Sequence, residues 1–218
     1  MQGEAEKIIA VLRQATAHFQ KPAATQIVEK YGKNPYLILI SCILSLRTKD
    51  TVSFPASVRL FCHATSPHEM LKVPFETIKK AIYPCLYYGV KAQTILTISA
   101  DLIGRFGGQV PWDRQALLTL KGVGPKTANL VLGQAFDIPA ICVDTHVHRI
   151  SNRLGIVNTK TPEQTEEALK KVLPQQYWNE WNSLLVMWGQ NVCVPISPKC
   201  STCPVRPLCK RVGVTQSR

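Results

Sequence analysis

The segment Lys121-Gly122-Val123-Gly124-Pro125-Lys126-Thr127-Ala128 constrains this chain more than any other. It separates a stretch that Asp113 can cap, running through Leu117, Leu118 and Leu120, from an apolar helical stretch through Leu130, Val131 and Phe136. Two glycines flanking one apolar residue between helices predict a tight hairpin. The glycines permit backbone conformations closed to other residues, and Val123 can pin the turn into a core. Pro125 suits a first helical position, where its missing donor costs nothing. The amides at the start of the second helix then face outward, where they can bind a phosphate. An ordinary helix–helix turn would use the same glycines. Leu120 before them, Lys126-Thr127-Ala128 after them and a basic chain around them favour a helix-hairpin-helix that binds DNA through Gly122, Val123, Gly124 and Lys126. Contacts of this kind grip the phosphate backbone without reading base sequence.

Charge points the same way. Lys and Arg outnumber Asp and Glu by 26 to 14, a net +12, which favours a polyanionic partner. An anionic membrane is the weaker candidate. The longest mainly apolar stretch, Pro35 to Leu44, is far short of the roughly 20 residues of a spanning helix. The first residues, MQGEAEKIIAVLRQ, mix charged and apolar positions, unlike the uninterrupted core of a secretion signal. A cytoplasmic, nucleoid-associated, prokaryotic location is therefore expected, with reduced thiols, no membrane partner and a monomeric state.

Almost all of the chain reads as helix, so the expected fold class is all-α. Ile8, Leu12 and Phe19 lie near one face of an N-terminal helix. Thr161-Pro162-Glu163-Gln164 forms a capping-box start, and Trp178, Trp181, Leu185 and Trp188 recur at helical spacing as a core stripe. Only Ile138 to Val143 looks extended, and it reads as a connector.

Two residues could carry chemistry. Lys126 falls in the first turn of the second hairpin helix, whose positive terminus disfavours a cation, and a neutral amine is what a Schiff-base nucleophile must be. A lysine contacting phosphate would occupy the same place. Asp144, in Val143-Asp144-Thr145-His146, can cap a helix ending near Gly155, a role compatible with catalysis. At the other end, Cys193, Cys200, Cys203 and Cys209 follow C-x6-C-x2-C-x5-C. Four thiols so closely spaced imply a metal site. Zinc sites are usually built from two close pairs, and only Cys200 and Cys203 form one here. Lys199, Arg206, Lys210 and Arg211 around them could add phosphate contacts. Cys42, Cys62, Cys85 and Cys142 are isolated among apolar neighbours and read as core.

Leu120-Lys121-Gly122-Val123-Gly124-Pro125-Lys126-Thr127-Ala128-Asn129, followed eighteen residues after Lys126 by the aspartate of Val143-Asp144-Thr145-His146, resembles the endonuclease III family of DNA glycosylases/AP lyases. The resemblance runs from Pro35-Tyr36 through Ile43-Leu44-Ser45, Thr48-Lys49-Asp50 and Gly89-Val90-Lys91-Ala92 to the C-terminal cysteines. It implies that Lys126 attacks the anomeric sugar carbon, that Asp144 assists base departure, and that the resulting imine allows β-elimination 3′ to the lesion. Oxidised pyrimidines of the thymine glycol type and abasic sites are the implied substrates, in double-stranded damaged DNA. The cysteine spacing resembles that of the family's four-iron, four-sulfur cluster, with a structural role.

There are departures from the pattern. Lys121 stands where relatives often have Pro. Arg47 occupies what resembles the family's Gln position, whose side chain fills the gap left by a flipped nucleotide, and a phosphate contact is the alternative for it. Two helical domains are expected, with a DNA cleft between them. Residues 28–138 would be a central bundle carrying the helix-hairpin-helix, and residues 1–27 plus 139–218 an iron–sulfur cluster domain. Competing readings are a DNA-binding protein without turnover, a zinc-ribbon-like adaptor and a mismatch-specific glycosylase.

Overall fold

The computed structural model describes residues 2–218, and among them every regular element is helical. In chain order these are α1 (Gln2–Thr16), α2 (Ala23–Tyr31), α3 (Pro35–Ser45), α4 (Asp50–Phe61), α5 (Pro67–Met70) and α6 (Phe75–Ile82). They are followed by α7 (Tyr88–Phe106), α8 (Arg114–Leu118), α9 (Pro125–Phe136), α10 (Thr145–Leu154), α11 (Pro162–Val172) and α12 (Trp178–Asn191). No helix among the described residues is long and apolar enough to cross a membrane.

The chain divides into two units, Ala23–Ile138 and the combination of Met1–Pro22 with Pro139–Arg218. The first boundary thus falls before α2 rather than at residue 28. The reason is local: Ala23, Ala24 and Ile27 are buried and α2 packs on α3, α4 and α9.

In the unit Ala23–Ile138, α3 is the axis. Asn34 accepts hydrogen bonds from the amides of Tyr36 (3.0 Å) and Leu37 (3.2 Å), and Pro35 follows at the first helical position. Every residue from Tyr36 to Leu44 is then buried. A helix apolar on all sides has to be covered on all sides, and α2, α4, α7 and α9 pack on it. Ile38, Leu39, Ile40 and Leu44 retain no exposed surface. The phenol of Tyr36 meets the Ser99 hydroxyl of α7 at 2.7 Å, and burial pushes its pKa upward. With α3 held in this way, its C-terminal end fixes the loop carrying Arg47, and its contact with α9 fixes Lys126.

The second unit is built on α12, which packs against α1 and α10. Trp181 and Leu185 are fully buried and Trp188 nearly so, while Trp178 packs at the edge of the same core. Trp178 Nε1 donates to the Leu173 carbonyl (2.9 Å) and Trp181 Nε1 to the Ser151 hydroxyl (3.2 Å), as buried indoles require. From α1 come Ile8 and Leu12. Phe19 lies beyond the end of that helix at Thr16, not on its face, yet packs on the same core with its ring 6.2 Å from Trp188. Thr161 caps α11 through the Gln164 amide, but the Gln164 side chain accepts from the amide of Lys160 rather than of Thr161. The capping box closes one residue earlier than its pattern suggests. Cys42, Cys85 and Cys142 are buried, whereas Cys62 is exposed, because it follows the last turn of α4 and its thiol turns back to the Val58 carbonyl.

Candidate active site and metal centre

The hairpin forms between α8 and α9. Asp113 caps α8 by accepting from the Ala116 amide at 2.8 Å, and Arg114 Nε bonds Asn129 Oδ1 at 3.0 Å, joining the two helices. Gly122 adopts a φ of +77°, and a Cβ there would come within 3.3 Å of the Thr94 methyl. Val123 is buried, and its amide returns to the Leu120 carbonyl at 3.1 Å. Gly124 differs from the expectation for both glycines. Its φ of −99° and ψ of 179° are extended backbone open to any residue, and a Cβ there would meet nothing within 4 Å. Only Gly122 is required by the turn itself.

Gly124 is the N-cap of α9, and as a glycine it brings no side chain of its own to close that helix start. Thr127, Ala128, Val131 and Leu132 bury one face of the helix, while Lys126 is exposed at its first turn. The Lys126 cation lies near enough to Cys42 to offset part of the effect of burial, which pushes that thiol up to about 12.

Asp144 is the N-cap of α10. Its Oδ1 accepts from the amides of His146 (2.9 Å) and Val147 (2.8 Å), so one carboxylate oxygen is fixed while the group stays half-buried. The helix it starts ends on Gly155 at a φ of 77°. One turn along, the Arg149 guanidinium reaches His146 Nδ1 (3.1 Å), the Gly189 carbonyl (3.3 Å) and the Cys193 carbonyl (2.9 Å). Burial lowers its pKa, an effect that the anionic forms of Cys193 and Asp144 oppose.

Arg47 stands alone in the loop after α3. It is exposed, has a left-handed φ of 54°, and places its guanidinium 5.8 Å from the centre of the Tyr87 ring.

Cys193, Cys200, Cys203 and Cys209 come together around one cavity, whose walls also include Arg153, Leu154, Trp188 and Arg211. Burial raises the Cys203 and Cys209 thiols, and the neighbouring cysteines of the set add to the rise. Among the described residues, no three His, Cys, Asp or Glu side chains form a group that could hold a single ion. The surrounding tail has little regular structure and docks through α10. Lys210 and Val212 donate to the Leu154 (3.2 Å) and Arg153 (3.0 Å) carbonyls, supplying partners that a helix end otherwise lacks. Lys199, Arg206 and Lys210 are exposed, but Arg211 turns into the cavity wall and is half-buried. Arg153 joins the cysteine set without any motif of its own. It donates to the Val194 carbonyl at 2.8 Å and reaches the Cys193 sulfur at 3.5 Å. Its spacing of four from Arg149, which puts both on one helix face, was the available signal.

The family model described as HhH-GPD superfamily base excision DNA repair protein matches residues 40–175. The chain belongs to that superfamily. It is similar to endonuclease III of Thermotoga maritima, with 44% identity over 192 residues covering 86% of this chain and 90% of the relative. Among solved structures it resembles a non-covalent endonuclease III–DNA complex at a TM-score of 0.84 and 32% identity, covering 97% of this chain and 96% of that one. It also resembles a trapped endonuclease III–DNA covalent intermediate at a TM-score of 0.78 and 33% identity, covering 94% and 95%. Two Arabidopsis thaliana homologues are longer, and the chain spans 58% and 57% of their length.

Proposed function

We propose that the chain is a bifunctional DNA glycosylase/AP lyase of base excision repair, which removes oxidised pyrimidines of the thymine glycol type and nicks the strand 3′ to the resulting abasic site. The observation that carries this reading is Lys126, a lysine exposed on the first turn of α9 directly after the glycine turn. It stands where the amides of the α9 start gather around an incoming phosphate, so its Nζ is placed beside the DNA backbone as a nucleophile. Its Nζ attacks the anomeric carbon as the base departs, leaving a covalent sugar adduct. Asp144 supplies a carboxylate toward the developing positive charge of the sugar. Loss of a proton from the nitrogen with opening of the sugar ring, in which the C1′–O4′ bond breaks and O4′ takes up a proton, gives the imine. Removal of a C2′ proton then expels the 3′ phosphate and breaks the strand, and hydrolysis of the imine frees the amine. The nucleotide is flipped out first, since its sugar carbon is inaccessible within the stack. Gly122, Val123 and Gly124 hold a phosphate of the duplex, and Arg47 enters the gap that flipping leaves. The protein acts as a monomer in a cytoplasmic, nucleoid-associated setting.

Cys193, Cys200, Cys203 and Cys209 are the proposed ligands of a four-iron, four-sulfur cluster. Their shared cavity and the Arg153 guanidinium beside Cys193 fit an anionic thiolate-bound group, and cations near the sulfurs stabilise such clusters. When bound, the group supplies structure to the tail rather than base-excision chemistry. The purified protein is expected to be yellow-brown, to absorb near roughly 400 nm and to contain iron and sulfide. Colourless protein carrying stoichiometric zinc overturns that assignment. The activity is tested by a panel of duplexes bearing thymine glycol, an abasic site or thymine opposite guanine, each scored separately for base loss and strand nicking. Base loss without nicking on the thymine glycol duplex overturns the bifunctional reading.

A further inference from the structure

Lys91, in the first turn of α7, retains 6% of its surface and has no carboxylate partner. Its ammonium donates to the Leu44 carbonyl (2.6 Å), the Leu46 carbonyl (2.7 Å) and the Thr48 hydroxyl oxygen (2.8 Å). All of its donors are thereby used. A helix end is commonly closed by a left-handed glycine that turns the chain back on its last carbonyls. Here α3 ends without one: Leu46 has a φ of −57° and a ψ of 116°, and the Leu44 and Leu46 carbonyls are met by Lys91. The left-handed residue comes one position later and is Arg47, so a long cationic side chain stands where a glycine would be cheapest.

The same network reaches a second turn. The Thr48 hydroxyl donates to the Leu46 carbonyl (3.3 Å) and accepts both from Lys91 and from the Leu86 amide (3.1 Å). Beside Leu86 is Tyr87, also left-handed at a φ of 57°, also exposed, and lying under the Arg47 guanidinium. Two non-glycine residues in the left-handed region, on two turns joined through one buried ammonium, are conformations that persist only when the surroundings over-determine them.

We propose that Lys91 is a positioning residue for strand opening. It locks the turn through Arg47 against the turn through Tyr87, so that Arg47 meets the duplex already ordered on the tyrosine ring. This rests on the reading of Arg47 as the gap-filling side chain. A preformed side chain loses less conformational freedom on entering the stack than a loose one.

The test compares wild type, Arg47→Ala, Lys91→Met and the double variant. Two quantities are measured: the ratio of affinities for thymine glycol duplex over undamaged duplex, and the fluorescence of 2-aminopurine placed opposite the lesion. A general loss of folded protein lowers both affinities together and leaves their ratio unchanged. Arg47→Ala and Lys91→Met are each expected to reduce the ratio on the order of tenfold, with no further loss in the double variant, as residues acting through one network do. Should Lys91→Met fail to fold, Thr48→Val removes the bridging hydroxyl alone and is expected to lower the ratio in the same direction. The proposal is overturned if Arg47→Ala reduces the ratio while Lys91→Met, or Thr48→Val in its place, leaves it unchanged or multiplies with Arg47→Ala. If Arg47→Ala lowers both affinities equally, the gap-filling role itself fails, and with it the role assigned to Lys91.

Discussion

Two helix starts in this molecule solve the same electrostatic problem in opposite ways. At α10, Asp144 closes the helix with its own carboxylate, holding two backbone amides at 2.8 and 2.9 Å. At α9, Gly124 brings no side chain, and the first charged residue is a lysine. The macrodipole favours an anion at a helix N-terminus and disfavours a cation. Asp144 is therefore in a place that suits it, and Lys126 is in one that does not. A helix start that completes itself is stable and fixed. One left uncapped, with a lysine in its first turn, gives up a little stability and remains open to an external anion. On the proposed mechanism, the difference separates a carboxylate held still by its own helix from a lysine left exposed to the duplex.

The sharpest way to break this comparison is to remove the amine. Borohydride is expected to trap the wild-type protein covalently on thymine glycol duplex, because an imine reduces to a stable amine. Lys126→Gln is expected to abolish trapping and nicking while duplex affinity is largely retained. Its folded stability is expected to be unchanged or to rise by a few tenths of a kcal/mol, since a cation has left a helix N-terminus. A trapped adduct with Lys126→Gln places the nucleophile elsewhere.

Asp144→Asn separates the charge from the cap. Asparagine caps helices about as well as aspartate, so a melting experiment is expected to show a change below about 1 kcal/mol. Base excision is expected to slow by a factor on the order of a hundred or more, as when a preorganised electrostatic group is lost from a site. Unfolding of Asp144→Asn, or unchanged excision by it, reduces the residue to a structural cap.

Gly122 and Gly124 sharpen the contrast at the hairpin. Gly122→Ala is expected to cost about 1–2 kcal/mol of stability, because a left-handed backbone is strained for any residue with a Cβ, and the Thr94 methyl at 3.3 Å leaves little room. Equal melting temperatures for Gly122→Ala and wild type contradict the turn geometry.

Much of this arrangement is legible in the sequence, for physical reasons that also mark where legibility stops. The hairpin, the Asp144 cap and the cysteine set are local patterns, and their geometry follows from residues a few positions apart. The all-helical class follows from periodicity, and α3 from a run of apolar residues that no one-sided helix would carry. Phe19 and Cys62 depart from the sequence pattern because both lie just past a helix end, where periodicity continues but the helix does not. The difference between the two glycines is invisible in sequence, since one needs a positive φ and the other does not. Arg153 and Lys91 depend on contacts with residues about forty positions away. Both are basic residues whose partners are backbone carbonyls, and a carbonyl acceptor carries no sequence signature.

The smallest expected effect is the most discriminating, because it moves stability and binding in opposite directions. Gly124 has the backbone of an ordinary N-cap, with a φ of −99°, a ψ of 179° and open space where a Cβ would stand. Nothing in the protein requires a glycine there, so the requirement, if one exists, comes from what approaches the turn. Gly124→Asp supplies the cap that α9 lacks and sets an anion at its N-terminus. It is expected to stabilise the fold by about 0.5 kcal/mol in a denaturation experiment. The same carboxylate would occupy the amides that a phosphate needs and repel it, so duplex affinity is expected to fall on the order of tenfold at low salt, and less at high salt as the repulsion is screened. Gly124→Ala adds volume without charge or cap and is expected to leave stability nearly unchanged, so any loss of affinity it shows measures how closely the duplex backbone comes. Were Gly124→Asp both more stable and undiminished in duplex binding, the uncapped start of α9 would be no phosphate site, and the two helix starts would differ only in their capping residue.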